Sequence, residues 1–211
     1  MTKEERQSAI LDQLLKQGSV LVSALSDNLQ VSAVTIRKDL TDLERQGRLY
    51  RSHGKAILIN PFTANRSVNE KEKLFPEEKY NIGTAAAQLV MPNDSIVIAS
   101  GTTVTAFAQC LQHSPRFTAV TSSIKVSEAL AANSEIEVIQ LGGRLRHSSL
   151  SVVGPDGEQT LAGCTFSKLF IGVDGIDLEY GITTTDLREA HLNKVMMGVA
   201  QKNIVLADSS K

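Results

Sequence analysis

Apolar residues recur three and four positions apart through the first 45 residues of the chain, which is the spacing of helices that bury one face. The stripe of the first helix consists of Ile10, Leu11, Leu14 and Leu15. Gly18 follows this stripe and predicts the end of the helix. A second, shorter helix is indicated by Leu21, Leu25 and Leu29, which share one stripe. The pattern therefore predicts two amphipathic helices before residue 30.

A third helix is predicted to begin at Ser32, a residue type that caps helix N-termini, and to end at Gly47. Its buried face consists of Ile36, Leu40 and Leu43. At about 100° per residue, the opposite face carries Val34, Lys38, Thr41 and Arg45, with Thr35 and Arg37 on its flanks. The positive side chains of this helix are therefore expected to point away from the core.

The segment after Gly47, "RLYRSHGKAILI", favours two short strands joined by a turn at Gly54. The basic side chains at its tip are Arg51, His53 and Lys55. Residues 32–58 carry six Lys and Arg against three Asp and Glu, although the whole chain has a formal net charge of -1. The sequence thus predicts a helix-turn-helix with a basic wing, and the basic surplus is concentrated there.

The pattern changes in the second part of the chain. Residues 59–80 hold two prolines, a cluster of charges and little periodicity, which are typical of a linker. Beyond this stretch, buried strands are indicated by "SIVIAS", "FTAVTS", "IEVIQLGG", "KLFIGVDG" and "NIVLADSS", and helices by "VTAFAQCLQ", "IKVSEALAA" and "LREAHLNKVMMGVA". This alternation predicts a doubly wound α/β domain over 81–211, after a helix-turn-helix domain over 1–58.

Composition excludes several classes of protein. The 211 residues, 42% of them hydrophobic, are sufficient for a packed core in one large or two small domains. No stretch approaches the roughly 20 apolar residues that cross a bilayer, and the first ten residues lack an apolar signal-peptide core, so a cytoplasmic location is expected. Cys110 and Cys164 lack disulfide or zinc spacing and predict buried thiols. His113, His147 and His191 also lack ligand spacing, so we expect no metal and no cofactor.

The stretch "IVIASGTTVTAFA" predicts a strand, a small polar turn and then a helix. Such a turn can aim backbone N–H groups at an anion on the helix N-terminus, where the helix dipole also helps. The residues of this candidate phosphate cradle are Ser100, Gly101, Thr102 and Thr103. An ordinary capped helix start is the alternative interpretation.

Other polar or small residues also end predicted strands. Thr121, Ser122 and Ser123 repeat the strand-turn-helix pattern, with the same two interpretations. Gly142 and Gly143 follow a further strand, for which a tight turn is the alternative, and Asp174 follows another. Open α/β sheets bind ligands at the carboxyl ends of their strands, so all of these residues are candidates for a binding site. They are Thr121, Ser122, Ser123, Gly142, Gly143 and Asp174.

The chain resembles DeoR/GlpR-type bacterial transcriptional regulators over essentially its full length. The segment "VSAVTIRKDLTDLERQGRLYRSHGKA" is similar to the winged helix-turn-helix of that family, and "ASGTT", "VTSS", "LGG", "FIGVDGI" and "LADSSK" follow in the family's order. The resemblance implies a Rossmann-like sensor domain, similar in fold to ribose-5-phosphate isomerase, that binds a phosphorylated sugar or related metabolite. It also places Glu189 and Lys211 near the effector, although such side chains are usually just solvated.

The chain departs from the family pattern at several positions. Lys38 and Lys55 stand where the family commonly has an arginine and a glycine, and Ala99 and Ser122 replace an aspartate and an asparagine. The chain also ends at Lys211, whereas family members usually continue for a few more elements. The resemblance therefore implies a sensor domain that is cut short at its C-terminus.

The basic helix, the wing and the resemblance together predict double-stranded operator DNA as a partner. The third helix would present Ser32, Thr35, Arg37 and Lys38 to the bases and phosphates of the major groove. The wing would hold the neighbouring phosphates through Arg51, His53 and Lys55. The alternative is that Arg37 and Lys38 are simply solvated side chains on an exposed helix.

The leading hypothesis is a DNA-binding repressor or activator of carbohydrate metabolism genes, with repression favoured. It is not an enzyme, and it is controlled by a phosphorylated sugar or related metabolite. We expect a homo-oligomer, because a helix-turn-helix protein that reads a palindromic site needs at least a dimer. The rival is a sugar-phosphate isomerase, which needs a base and an acid beside its substrate. Asp174, Glu189 and Lys211 could serve, but Ala99 removes one carboxylate. A third hypothesis is an architectural DNA binder without a ligand.

Overall fold

The computed structural model of the chain describes residues 1–46, 48–52, 54–58 and 67–211. The chain forms two compact units, which we call the first unit (Met1–Ala64) and the second unit (Asn65–Lys211). Among the described residues, buried apolar side chains form one cluster in the first unit and two in the second. The two units are described separately below.

In the first unit, three helices pack against a small antiparallel sheet. Its elements are α1 (Lys3–Gln17), β1 (Ser19–Leu21), α2 (Val22–Leu29), α3 (Ala33–Arg45), β2 (Leu49–Ser52) and β3 (Lys55–Leu58). Strand β3 lies between β1 and β2. Ile10, Leu25 and Ile36 come from different helices and are fully buried in one core. The three predicted helices and the two predicted wing strands are confirmed.

Local signals set the helix ends in this unit. Thr2 and Glu5 form a capping box at the start of α1, which satisfies two backbone N–H groups. Gly18 ends α1 with a φ of +70°, a conformation that glycine adopts without a steric penalty. At the start of α3, the Ser32 hydroxyl accepts a hydrogen bond from the Thr35 backbone N–H at 3.2 Å. The predicted cap of α3 is therefore confirmed.

One residue of the predicted α2 stripe lies elsewhere. Leu21 is 47% exposed and ends β1, a strand that the hydrophobic pattern does not indicate. The cause is backbone pairing with a distant segment, because Leu21 lies opposite Lys55 of β3 in the sheet. Gly47, the predicted end of α3, lies outside the described residues.

The second unit alternates strands and helices. It begins with α4 (Val68–Glu72), α5 (Pro76–Ala87), β4 (Ser95–Ile98), α6 (Thr102–Cys110), β5 (Phe117–Thr121), α7 (Ile124–Leu130) and β6 (Ile136–Gln140). It continues with β7 (Arg144–Arg146), β8 (Ser151–Val153), α8 (Pro155–Leu161), β9 (Phe166–Gly172), β10 (Gly175–Asp177), β11 (Gly181–Thr183), α9 (Leu187–Val199) and β12 (Ala200–Leu206). The five predicted strands and three predicted helices are all present, as β4, β5, β6, β9 and β12 and as α6, α7 and α9.

The five long strands form one parallel sheet in the order β12-β9-β4-β5-β6. Ile96 and Ile98 of β4 join one core with Phe107 of α6, while Val97 joins a second core with Met196 of α9. Alternate residues of one strand thus face different cores, so both faces of the sheet are covered by helices. The predicted doubly wound α/β domain is confirmed.

The stretch that resembles a linker in the sequence contains ordered helices. Its described part, 67–80, holds α4 and the first turn of α5, and Val68 and Lys79 are buried there. Both helices start on polar signals: Ser67 forms a capping box with Glu70, and Pro76 occupies the first turn of α5. Short helices with many charges have too weak a periodicity to be seen in the sequence, so the interpretation as linker does not hold for 67–80. Residues 59–66 lie outside the described residues.

The predicted burial of both thiols is also not observed. Cys164 is exposed and Cys110 is only partly buried. Cys110 is the last residue of α6, and Cys164 follows the end of α8, so both lie at helix ends rather than on buried faces. The described residues hold no disulfide between them.

Candidate functional site

The exposed face of α3 is cationic. Ile36 and Leu40 have no exposed surface, whereas Arg37 and Lys38 are exposed and Val34 is 72% exposed. The geometry predicted for this helix is therefore confirmed: the apolar stripe is buried and the positive side chains point to solvent. The face is free, within the first unit, to meet an anionic surface.

A buried ion pair fixes α3 against α1. Asp39 is 2% exposed, and its carboxylate accepts hydrogen bonds from Nε of Arg6 and, at 3.1 Å, from Nη2 of Arg6. Two parallel hydrogen bonds of this kind restrict orientation as well as distance. Arg6 and Asp39 therefore set the angle at which Arg37 and Lys38 are presented.

The other predicted DNA-binding residues are partly engaged inside the protein. Oγ of Ser32 and Oγ1 of Thr35 lie 3.0 Å apart at the start of α3. In the wing, Glu44 accepts hydrogen bonds from the Arg51 backbone N–H at 3.0 Å and from its Nε at 2.8 Å. Lys55 is exposed. His53 lies outside the described residues.

In the second unit, the strand order creates a crevice between β4 and β9. The chain runs outward from β4 to β5 and β6, and then returns to the other side of β4 through β9 and β12. Ligands of open α/β sheets bind where the order reverses, beside the carboxyl ends of the two strands. Ser100 follows β4 and Asp174 follows β9, so both predicted residues lie at this crevice.

The turn after β4 has the form of an anion cradle. Gly101 has a φ of +128°, which residues with a Cβ rarely adopt, and no side chain caps the helix that follows. Thr102 and Thr103 begin α6 and are 8% and 6% exposed. Backbone N–H groups in the first turn of a helix have no partner inside that helix. The turn can therefore offer several donors to one anion.

Glu189 lies beside this cradle. Its Oε1 accepts a hydrogen bond from Oγ of Ser100 at 2.7 Å. Its Oε2 accepts one from Nη1 of Arg146 at 3.0 Å, and Arg146 also donates through Nε to Asp186 at 3.2 Å. The carboxylate of Glu189 is thus held by a cation and aimed at the turn after β4. The alternative interpretation of Glu189, a side chain that is merely solvated, does not describe this ordered network.

Asp174 forms the other side of the crevice. Its Oδ1 accepts a hydrogen bond from Nζ of Lys71 at 2.6 Å, and its Oδ2 accepts from both N and Oγ1 of Thr185 at 3.2 Å. Burial alone would raise the pKa of Asp174, but the Lys71 ammonium and these hydrogen bonds outweigh it and lower the pKa. Oγ1 of Thr184 lies 3.4 Å from carboxylate oxygens of Asp174 and Glu189 and links the two acids.

Lys211 lies near a second lysine. Lys79 is 6% exposed, and its Nζ donates to the backbone oxygens of Lys71 and Leu74 at 2.5 Å. Burial, followed by the charge of Lys211, lowers the pKa of Lys79 to about 8. Asp208 opposes this effect. Repulsion between the two lysine charges therefore adds to the effect of burial on the pKa of Lys79.

Several other predicted residues are buried, and two of them form hydrogen bonds within the fold. Thr121, Ser122 and Ser123 are at most 3% exposed. Oγ1 of Thr121 accepts from the Ser123 N–H at 3.1 Å, and Oγ of Ser123 caps α7 through the Val126 N–H at 3.3 Å. The alternative interpretation, a capped helix start, is the one that these contacts support.

The glycine pair after β6 differs in its two members. A Cβ at Gly143, whose φ is +139°, would lie 2.9 Å from the Val153 backbone oxygen, so only glycine fits there. A Cβ at Gly142 would meet no atom within 4 Å. Gly143 therefore has a packing role, as the tight-turn alternative requires.

The sequence analysis missed four residues of this site: Lys71, Lys79, Arg146 and Thr184. Lys71 and Asp174 are 103 positions apart, and no local pattern links them. Arg146 lies in a three-residue strand whose alternation is too short to detect. The basic charge of the two lysines lies in the stretch that we interpreted as a linker.

A separate cleft of about 570 Å³ lies beside α8 and α9. It is lined by Arg144, Val153, Gly154, Pro155, Asp156, Glu158, Leu187, Arg188 and His191. None of the predicted effector residues is among them.

Within the described ranges, no helix is both long and apolar enough to cross a membrane. No cluster of potential metal ligands occurs among the described side chains either.

Comparison with known families matches both units. A model of the DeoR-like helix-turn-helix domain matches residues 6–62, and a model of the DeoR C terminal sensor domain matches residues 75–211. Among solved structures, ribose 5 phosphate isomerase A from Neisseria gonorrhoeae is similar at a TM-score of 0.48 and 22% identity, over 64% of this chain and 52% of that one.

Curated relatives cover almost the whole chain. It is 39% identical to the putative aga operon transcriptional repressor of Escherichia coli O157:H7 over 209 residues. The aligned region covers 98% of this chain and 78% of that protein. It is 35% identical to the HTH-type transcriptional repressor GlcR of Bacillus subtilis, over 100% of this chain and 81% of that protein. It is 34% identical to the lactose phosphotransferase system repressor of Streptococcus mutans, over 100% and 84%. Because the sensor-domain model alone matches more than half of the residues, the chain belongs to the DeoR family of helix-turn-helix transcriptional regulators.

Proposed function

We propose that this protein is a transcriptional repressor of carbohydrate metabolism genes that leaves its operator when a phosphorylated sugar binds the second unit. The observation that carries the proposal is the exposed cationic face of α3, with Arg37 and Lys38 opposite a fully buried apolar stripe. The relatives described above support it, because three of them are named as repressors and two of their names refer to a sugar system or an operon.

Operator binding would use two kinds of contact. Arg37 and Lys38 reach phosphates or base edges of the major groove from the N-terminal half of α3. Lys55 reaches the flanking backbone from the wing, while Arg51 has to share its guanidinium between Glu44 and DNA. Ser32 contributes mainly by capping α3, because its hydroxyl already accepts a backbone hydrogen bond. His53 remains a proposed wing contact.

The effector would bind in the crevice between β4 and β9. Its phosphate would lie on the turn formed by Ser100, Gly101, Thr102 and Thr103, where a helix N-terminus supplies donors. Its hydroxyls would reach Asp174 and Glu189, which accept hydrogen bonds as carboxylates. Lys211 would add positive charge near the phosphate. Five other residues that the sequence predicts at the effector site would instead support the surrounding loops: Thr121, Ser122, Ser123, Gly142 and Gly143.

A regulatory role fits the two acids better than catalysis does. Asp174 is paired with Lys71 and Glu189 with Arg146, so neither is a free base beside a substrate carbon. Ala99 supplies no carboxylate to the turn. We therefore propose a protein without isomerase activity, which acts as a homo-oligomer of at least two copies on a palindromic operator.

The DNA-binding half of the proposal is tested with the double variant Arg37→Ala/Lys38→Ala on an operator fragment selected by the wild-type protein. Each lost phosphate contact should reduce the slope of log affinity against log salt by about 0.9, and the affinity itself should fall strongly. The matched control is Lys194→Ala/Lys202→Ala, which removes two exposed cations from the second unit. An unchanged slope in the folded α3 variant would refute the assignment.

The effector half is tested on the same operator complex. Sugar phosphates should release the protein, and the same sugars without phosphate should not, because hydrogen bonds to a charged group contribute about 1.5 to 3 kcal/mol each. Equal potency of a free sugar would show that the phosphate cradle is not the binding site.

A further inference from the structure

Helix α4 is the first described element after residues 59–66, the segment that leads from the first unit into the second along the chain. It has only five residues, and helices of that length are not stable by themselves. Its position therefore depends on contacts with the rest of the second unit, and a change in those contacts changes the end of the interdomain segment.

Among the described contacts of α4, three join it to parts of the second unit that are distant in sequence. The Val68 backbone N–H donates to the Ser148 oxygen at 2.5 Å. Glu72 forms an ion pair with Lys125 at 2.5 Å. Lys71 forms an ion pair with Asp174 at 2.6 Å, and this is the contact that reaches the crevice.

The Lys71–Asp174 pair is both accessible and replaceable. The two side chains are 31% and 25% exposed, so water and ligands can reach them. A partly exposed ion pair contributes little to stability, because solvent screens it. A ligand hydroxyl that donates to Oδ1 of Asp174 from the position of the Lys71 ammonium would compete with that ammonium.

We infer that Lys71 occupies part of the effector site when no effector is bound. An effector that displaces Lys71 from Asp174 loosens α4, and this change affects the segment that leads to the DNA-binding unit. The inference rests on the proposed function, since it requires the effector to contact Asp174. The paired state of Lys71 is the operator-binding state, and the displaced state is the effector-bound state.

The other contacts of α4 explain why displacement of Lys71 from Asp174 can change the position of this helix. Lys79 holds the last turn of α4 through the backbone oxygens of Lys71 and Leu74, so this end stays attached to α5. The first turn depends on Val68, and the exposed face depends on Lys71 and Glu72. Loss of the Lys71 pair leaves the Val68–Ser148 hydrogen bond and the Glu72–Lys125 pair in place, so the expected response is a shift of α4 relative to its attached end and not its detachment.

The variant Lys71→Met tests the inference without any ligand. It removes the cation and keeps an unbranched side chain, so the paired state loses its contact while the fold is retained. Free protein should bind the selected operator several-fold more weakly, and amide hydrogens of 68–72 should exchange several-fold faster. Lys73→Met is the matched control, because Lys73 is an exposed lysine next to the end of the same helix. Lys71→Arg keeps a cation and should restore both values.

A ligand arm separates this inference from the proposed function. Ribose 5-phosphate should bind Lys71→Met more tightly than the wild type, by a factor within the roughly 5- to 150-fold range of typical couplings between sites. Inorganic phosphate carries no sugar hydroxyls to reach Asp174, and its affinity should not change. If neither ribose 5-phosphate nor any sugar phosphate tested on the operator complex binds the wild type, the result counts against the proposed function. If Lys71→Met keeps the operator affinity and the hydrogen-exchange rates of the wild type, the inference is overturned and the proposed function is not affected.

Discussion

At the scale of single residues, Lys79 carries an unusual constraint. It is almost fully buried, and its ammonium is satisfied by two backbone oxygens instead of a carboxylate. Burial and the nearby Lys211 charge lower its pKa to about 8, from an ordinary value of 10.5. The folded protein therefore releases this proton at a lower pH than the unfolded chain does.

We expect this lysine to make stability depend on pH. Between about pH 8 and about pH 10.5 the unfolded state binds more protons at this position, so the free energy of unfolding should rise with pH by on the order of 1 to 3 kcal/mol. Below that window both states are charged and the destabilisation by burial is fully present. Urea unfolding of the wild type and of Lys79→Met across the window measures the difference.

The Lys73→Met variant serves as the control for this measurement, since Lys73 is an exposed lysine. It should keep the wild-type pH dependence, whereas Lys79→Met should lose part of it. Parallel curves for the wild type and Lys79→Met would contradict the shifted pKa.

The residues of the crevice show what a sequence can and cannot reveal. Ser100, Gly101 and Asp174 were predicted because polar or small residues directly after buried strands are a local pattern. Lys71 and Arg146 were not, since their roles arise only when distant segments meet around two carboxylates. Local sequence therefore indicates which polar residues end the strands at the crevice, and tertiary contacts decide which charges accompany them.

At the scale of elements, the contact between α5 and α6 is unusually close. A Cβ added at Gly83 of α5 would lie 2.9 Å from the Phe107 backbone nitrogen and 3.0 Å from backbone atoms of Ala106. Backbone atoms cannot move aside as a flexible side chain can. Gly83 thus sets the distance between the helix that carries Lys79 and the helix that begins at the phosphate cradle.

Gly83→Ala should push these helices apart and destabilise the protein by about 1 to 3 kcal/mol, the usual cost of overpacking. Gly198→Ala is the matched control, because Gly198 lies in α9 with no atom within 4 Å of an added Cβ. That change should be neutral or stabilise by up to about 1 kcal/mol, since alanine favours helix. Thermal unfolding of both variants measures the contrast, and equal effects would refute the close packing.

The elements themselves were predicted unevenly. The five strands of the parallel sheet were found because each is an uninterrupted apolar run that is covered on both faces. The hairpins β7–β8 and β10–β11 were missed, because their strands have only three residues each, and two of the three residues are exposed in β7, β10 and β11. Helix α8 was missed because seven residues with two acidic side chains in the first turn show no clear stripe.

At the scale of the whole molecule, the two units have separate cores. The cluster around Ile10 and Leu40 contains residues of the first unit only, and the clusters around Phe107 and Leu169 contain residues of the second unit only. Cooperative unfolding requires shared buried surface, so each unit should unfold as its own cooperative step.

We expect two transitions in scanning calorimetry of the full chain. A saturating sugar phosphate should raise only the second unit's transition, by roughly 5 to 10 °C at 100 times the Kd. Thr102→Asp places a carboxylate in the phosphate cradle and should abolish this shift by repulsion, while operator binding is retained. Thr102→Val, which adds no charge, controls for packing at this buried position.

A single transition that includes both units, or a ligand shift that persists in a folded Thr102→Asp protein, would contradict this prediction. The first result would mean that the units share more surface than their cores suggest. The second would place the anion away from the turn after β4.

The crevice between β4 and β9 also has a consequence for how this family diversifies. The turn with Ser100 and Thr102 follows β4, while Asp174 and the loop with Thr184 follow β9, so two distant stretches of the chain form opposite walls. If one wall holds the phosphate and the other holds the sugar, mutations that alter sugar preference need not weaken recognition of the phosphate. New family members that respond to different nutrients can then arise by gene duplication and a few substitutions in one wall, while the residues that hold the phosphate are inherited unchanged.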